Sequence, residues 1–146
     1  MQSRIVFVAE RTSTERPKPL ELVVPYTNPA RTASTLEAAL QLTHGLEVGI
    51  TVVAVHVLPY PAPLAIQEGI RERLEAELLS IARTSPVRIR LKLVFSRDRT
   101  QALESLLRSE SLVVLGTKGR WWRLREQRLA RRLASHGHGV ALVKVS

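Results

Sequence analysis

From Leu20 onward, short apolar runs alternate regularly with helical patterns, and this alternation restricts the chain to few architectures. The runs "LELVVPY" (20–26), "GITVVAVHVL" (49–58), "VRIRLKLVF" (87–95), "SLVVLG" (111–116) and "VALVKV" (140–145) have the length and branched-aliphatic content of strands. Helical patterns lie between them, from Pro29 to about His44, about Leu64 to Thr84, about Arg99 to Ser109 and about Trp121 to Ser135. Five strands separated by four helices predict an α/β domain with an open, mostly parallel sheet, right-handed crossovers and helices on both faces. Ahead of them, "RIVFVA" (4–9) reads as a short extra strand, followed by the polar linker "ERTSTERPKP". The chain therefore divides into an extension, 1–19, and a domain, 20–146.

Residues at the expected element ends agree. Asn28 can cap the first helix with Pro29 in its first turn, and Gly45 can close it in the left-handed conformation. In the second helix Ile66, Ile70, Leu74 and Leu78, continued by Ile81 and Ala82, form an apolar stripe expected to be core. Asp98 and Gln101 form a capping pattern for the third helix, which accounts for the chain's single aspartate as a helix start. In "VRIRLKLVF" the residues Val87, Ile89, Leu91 and Leu93 alternate with Arg88, Arg90 and Lys92. One face of this strand is thus expected to reach solvent, and the strand to lie at a sheet edge.

With 146 residues, 45% of them apolar, the chain can bury one domain core without a covalent staple. It has no cysteine, which excludes disulfides, thiolate metal sites and a cysteine nucleophile. The longest apolar run is too short to span a bilayer, and the first residues lack a charged-then-apolar signal pattern; the expectation is a cytoplasmic protein. The net charge of +9 is uneven: residues 117–146 hold eight basic side chains against one acid, Glu126, whereas residues 1–116 hold 14 against 12. Such a block favours phosphate-bearing or acidic partners by long-range attraction, although a solvated helix face explains it equally well.

The strand "LVVP" running into a helix, the strand ending "VHVLP", "LVVLGTKGR" followed by a helix, and "SHGHGVALVKV" leading the last strand resemble, in that order, the universal stress protein family. The resemblance covers about residues 20–146. It implies strand order 3-2-1-4-5, counted from the Leu20 strand, in the arrangement described as adenine-nucleotide alpha-hydrolase-like and Rossmann-like. It also implies homodimers, commonly formed by pairing the last strands of two chains. Some members bind ATP through a Gly-x-x-Gly turn, nine further residues and then Gly-Ser or Gly-Thr, with an aspartate at the end of the first strand.

Here only the turn is present. Gly116, Thr117, Lys118, Gly119 and Arg120 form a candidate anion or phosphate turn, its glycines allowing backbone N–H groups to approach and Lys118 adding a charge. Nine residues beyond Gly119 stand Leu129 and Ala130, or Gln127 and Arg128 if a deletion within that helix turn is allowed, and neither pair supplies a phosphate donor of the Gly-Ser kind. Tyr26 or Thr27 stands where the aspartate is expected. Arg120, Arg123 and Arg128 are candidates to compensate, since guanidinium forks bind phosphates, but their spacing does not make them converge on the turn. No cofactor follows with certainty, and ATP binding is expected to be weak or absent.

Trp121 and Trp122 could stack bases, but adjacent helical residues point about 100° apart and cannot form one flat platform. Of the histidines, His44 lies at a helix end and His56 in a strand, while His136 and His138 have no carboxylate near them in sequence, so no metal site is expected. No Gly-x-Ser-x-Gly elbow is present, and no catalytic residue or enzyme activity is expected. The expected function is a universal-stress-protein-like binding or regulatory module of stress responses, homodimeric and not membrane-bound. The alternatives are a nucleotide-binding module using a modified turn, and nucleic-acid or acidic-partner binding through the basic fourth helix.

Overall fold

The computed structural model describes residues 4–9, 20–58, 61–108 and 111–145, with side chains at all of these except 4–9 and 119–124. The linker expected before Leu20 lies outside the described residues. The elements follow in the order β1 (Arg4–Ala9), β2 (Leu20–Pro25), α1 (Pro29–Leu42), β3 (Val48–Val57), α2 (Leu64–Thr84), β4 (Arg90–Ser96), α3 (Arg99–Leu106), β5 (Ser111–Thr117), α4 (Gly119–Ser135) and β6 (Gly139–Lys144).

All ten form around one six-stranded sheet ordered β1-β4-β3-β2-β5-β6. The five strands from β2 onward are mutually parallel, and counted from β2 their order is 3-2-1-4-5. β1 adds antiparallel to β4, with Arg4 opposite Phe95 and Phe7 opposite Lys92, and a register shift after Phe7. β4 is therefore the outermost parallel strand, but it is not the edge that its alternation suggested. Its charged residues have another cause. Leu91, Leu93 and Phe95 face the core shared with α1 and α2, and Val94 faces the α3 and α4 side, while Arg90 and Lys92 remain half-exposed on that second face.

Two cores sandwich the sheet. Leu22, Val24, Val52, Leu91 and Leu93 pack against Leu36, Ala39, Leu74, Leu78 and Ile81 of α1 and α2. On the other face Val23, Val53, Val113 and Leu115 pack against Ala102, Leu103, Leu129, Ala130 and Leu133 of α3 and α4. Alternate residues of β2 enter opposite cores, which is why a central parallel strand must be apolar on both faces. The expected caps are present: Asn28 Oδ1 accepts from Arg31 N at 2.8 Å, Asp98 Oδ1 accepts from Gln101 N at 3.1 Å, and Gly45 has φ +84°.

The apolar stripe of α2 enters the core later than its sequence suggests. Leu74, Leu78 and Ile81 are buried, but Ile66 is 54% exposed and Ile70 half-buried, because the first turns of this 21-residue helix extend beyond the sheet. Val87 likewise lies outside β4 and is exposed. Leu78→Ala is expected to lower unfolding stability by about 2–5 kcal/mol. Ile66→Ala should leave it within about 0.5 kcal/mol in the same denaturant titration. A comparable loss at both positions would contradict this placement of the first turns.

Candidate functional site at the carboxyl edge of the sheet

Open α/β sheets place ligands outside the carboxyl ends of their strands. Two features occupy that edge here. One is the turn from Gly116 to Arg120 between β5 and α4; the other is a cleft of about 310 Å³ over the ends of β2 and β3. Tyr26, Thr27, Asn28 and Pro29 line the cleft from the connection after β2 and the start of α1. Ala54, Val55 and His56 line it from β3, and Arg73, Leu74 and Glu77 from α2. Of the turn residues whose side chains are described, Gly116, Thr117 and Lys118, none is among them.

At the turn, Gly116 is buried at the end of β5, and a Cβ placed on it would lie 1.9 Å from Thr35 Oγ1. The Thr35 hydroxyl donates to Arg31 O at 2.8 Å, so it is held in place by its own helix. Close seating of α1 on β5 is thus sufficient reason for this glycine. Thr117 is buried as well, and its hydroxyl donates to the carbonyl of Val143 in β6 at 3.3 Å. Lys118 is exposed and stands at the N-cap of α4 without a side-chain hydrogen bond to the helix. Gly119 opens α4, earlier than the start expected near Trp121. The side chains of Arg120, Trp121, Trp122 and Arg123 lie outside the described residues.

The rest of the family's phosphate pattern does not reach this point. α4 is continuous from Gly119, so Leu129 is about 15 Å along the helix axis from its start. Leu129 and Ala130 are both buried in the core under the sheet. Arg128 is exposed and equally far down the helix, which removes it as a partner for an anion at the turn.

The cleft is polar and largely satisfies its own groups. The Tyr26 hydroxyl donates to Glu77 Oε2 at 2.7 Å, joining β2 to α2 across the cleft. Burial, reinforced by this carboxylate, holds the Tyr26 phenol well above its ordinary pKa. His56 packs edge-on against Phe95 with ring centroids 5.8 Å apart. Burial, and secondarily the Arg73 guanidinium, holds its imidazole below the usual range, so His56 is neutral in the cleft near pH 7. The unfolded chain binds this proton more readily, so His56 favours the folded state above the ordinary imidazole pKa. That contribution is lost as pH falls through the lowered value. Thr27 Oγ1 is buried without a hydrogen-bond partner among the described residues. Neither Tyr26 nor Thr27 supplies the carboxylate expected there.

Sequence spacing missed two further pairings. His136 Nδ1 lies 2.8 Å from Glu104 Oε1, so a carboxylate does accompany this histidine, brought from 32 residues away. Glu126 is only 2% exposed and its Oε1 lies 3.4 Å from Arg99 Nη1. Its spacing from Leu129, Ala130 and Leu133 places it on the inward face, a signal the sequence carries. No group of three His, Asp or Glu side chains able to hold a metal is found among the described residues.

Gly116→Ala is expected to destabilise the fold by about 1–3 kcal/mol through overpacking against α1. Thr35→Ala in the same chain should recover part of that loss, since it removes the atom in closest conflict. Strictly additive effects in the double-mutant cycle would show that the glycine is not dictated by this contact.

No family model matches the sequence, and no curated protein is similar to it in sequence. Among solved structures the chain is similar to the universal stress protein UspA from Lactobacillus plantarum, with a TM-score of 0.56 and 15% identity, over 90% of this chain and 100% of that one. With the strand order and the four helices, this gives the chain a universal stress protein UspA-like fold.

Proposed function

We propose that the chain is a non-catalytic, cytosolic binding module of the universal stress protein kind, which works as a homodimer and binds ATP weakly or not at all. One observation carries the reading on ATP: Leu129 and Ala130, at the place of the second phosphate-binding element, are core residues about 15 Å from the turn. Lys118 and the first N–H groups of α4 favour an anion in a general way. Discrimination for a nucleotide needs several groups converging on one ligand, and the absence of Gly116, Thr117 and Lys118 from the cleft lining speaks against that. Titration calorimetry with ATP and magnesium at two salt concentrations should give no heat, or weak binding lost as salt rises. Micromolar binding nearly independent of salt would overturn the reading.

The dimer reading rests on β6. It ends the sheet, and its alternate residues are exposed, with Leu142 at 44%. Val145 N donates to Thr117 O at 2.9 Å, so the backbone groups of Val145, and of Val143 two residues earlier, point inward to β5. Those of Val140, Leu142 and Lys144 point outward, where a second copy of the strand can pair. A proline at Val143 would therefore damage the β5 ladder, whereas Leu142→Pro removes an outward donor alone. Light scattering should report a dimer for the parent chain and a monomer for Leu142→Pro. A folded variant of unchanged dimeric mass would exclude β6 as the interface.

A further inference from the structure

The outer face of α4 carries charge that the function proposed above does not use. At about 100° per residue, Glu126, Leu129, Ala130 and Leu133 share one side of the helix, and all four are buried. Arg128, Arg131 and Arg132 fall on other sides and are exposed. None of the three forms an ion pair with a described residue. Arg125, also exposed, lies on the same side as Arg128 and Arg132. The one acid of α4, Glu126, is turned inward to Arg99, and Glu104 of the neighbouring α3 is engaged by His136 at the last turn. The outer face thus presents arginines with no acid of the same helix beside them.

We propose that this face, through Arg128, Arg131 and Arg132, docks on the phosphate backbone of double-stranded nucleic acid without reading its sequence. Three properties favour this partner. All the basic residues of the face are arginine, whose planar fork pairs two-point with phosphate oxygens. Arg128 and Arg132 are separated by about 6 Å along a rigid helix. A duplex carries a charge about every 1.7 Å of its axis, so such a rod finds phosphates in any register. Among the described side chains, the face also lacks what other anionic partners require. A protein interface is centred on buried apolar or aromatic anchors, and a bilayer surface takes up an apolar helix face. Leu129 and Leu133, the large apolar residues of this half of α4, are already committed to the core. Base reading would need amide or aromatic side chains in the stripe, where, among the described side chains, only the half-buried Gln127 stands nearby.

The test is fluorescence anisotropy of the full chain with a short duplex DNA of arbitrary sequence over a range of salt. With three phosphate contacts the logarithm of the binding constant should fall against that of salt with a slope of about −3. Arg128→Glu with Arg132→Glu should reduce the slope by about 2. Arg83→Glu with Arg88→Glu changes the net charge equally at exposed positions outside α4, and should leave the slope in place. All these side chains are exposed, and an unchanged melting temperature verifies that the variants fold. Equal loss in both double variants would reduce the effect to net charge and overturn the proposal. So would absence of duplex binding at low salt, or binding of poly-glutamate as tight as that of the duplex. None of these readouts depends on whether ATP binds at the turn.

Discussion

The seating of α1 on β5 is the constraint around which the two halves of this sheet are joined. β2 is the strand from which the order runs outward in both directions, to β3 and β4 on one side and to β5 and β6 on the other. A helix leaving β2 must cover the junction, and α1 does so by bringing Thr35 against the end of β5, so close that no side chain fits at Gly116. The Thr35 hydroxyl has its hydrogen bond within the helix and needs nothing from the strand, so steric contact with the Thr35 side chain limits the approach. Helix packing therefore already explains a glycine that sequence spacing would assign to a phosphate turn.

A second consequence concerns α4. Starting at Gly119 directly after β5, it must lie along the sheet at once, and its inward face is fixed by Leu129, Ala130 and Leu133. Glu126 falls on the same face and is almost fully buried. Removing a carboxylate from water is costly, and a single contact to Arg99 at 3.4 Å compensates for it only in part. The pair joins α3 to α4 and also withdraws the helix's only negative charge from its outer surface. Packing and surface charge are thus two results of one helical phase.

Much of this was legible in local sequence. Strand and helix identity followed from periodicity, and Asn28, Asp98 and Gly45 marked helix ends because caps act within one turn. What was not legible depends on contacts far apart in the chain. The antiparallel addition of β1 to β4 leaves no local signature, and the charges at Arg90 and Lys92 read as an edge although β1 pairs beyond them and both side chains are half-exposed on the face of Val94. Tyr26 meets Glu77 across 51 residues, and His136 meets Glu104 across 32; spacing rules are blind to both. The exposure of Ile66 was hidden for a related reason, since periodicity reports which face of a helix is apolar but not how far the sheet beneath it extends.

The cleft and the turn also differ in what a ligand would have to displace. At the turn the fold supplies the positive end of a helix and one exposed lysine, which attract an anion without choosing among anions. In the cleft the choosing groups are present but occupied, for the Tyr26 hydroxyl already has the Glu77 carboxylate. A ligand entering there must replace that bond with one as good, or leave a half-buried phenol or carboxylate unpaired. In the cleft lining, Thr27 offers a buried polar atom that the described residues do not satisfy. Selectivity at this edge would therefore come from the β2–α1 junction and not from the glycines after β5.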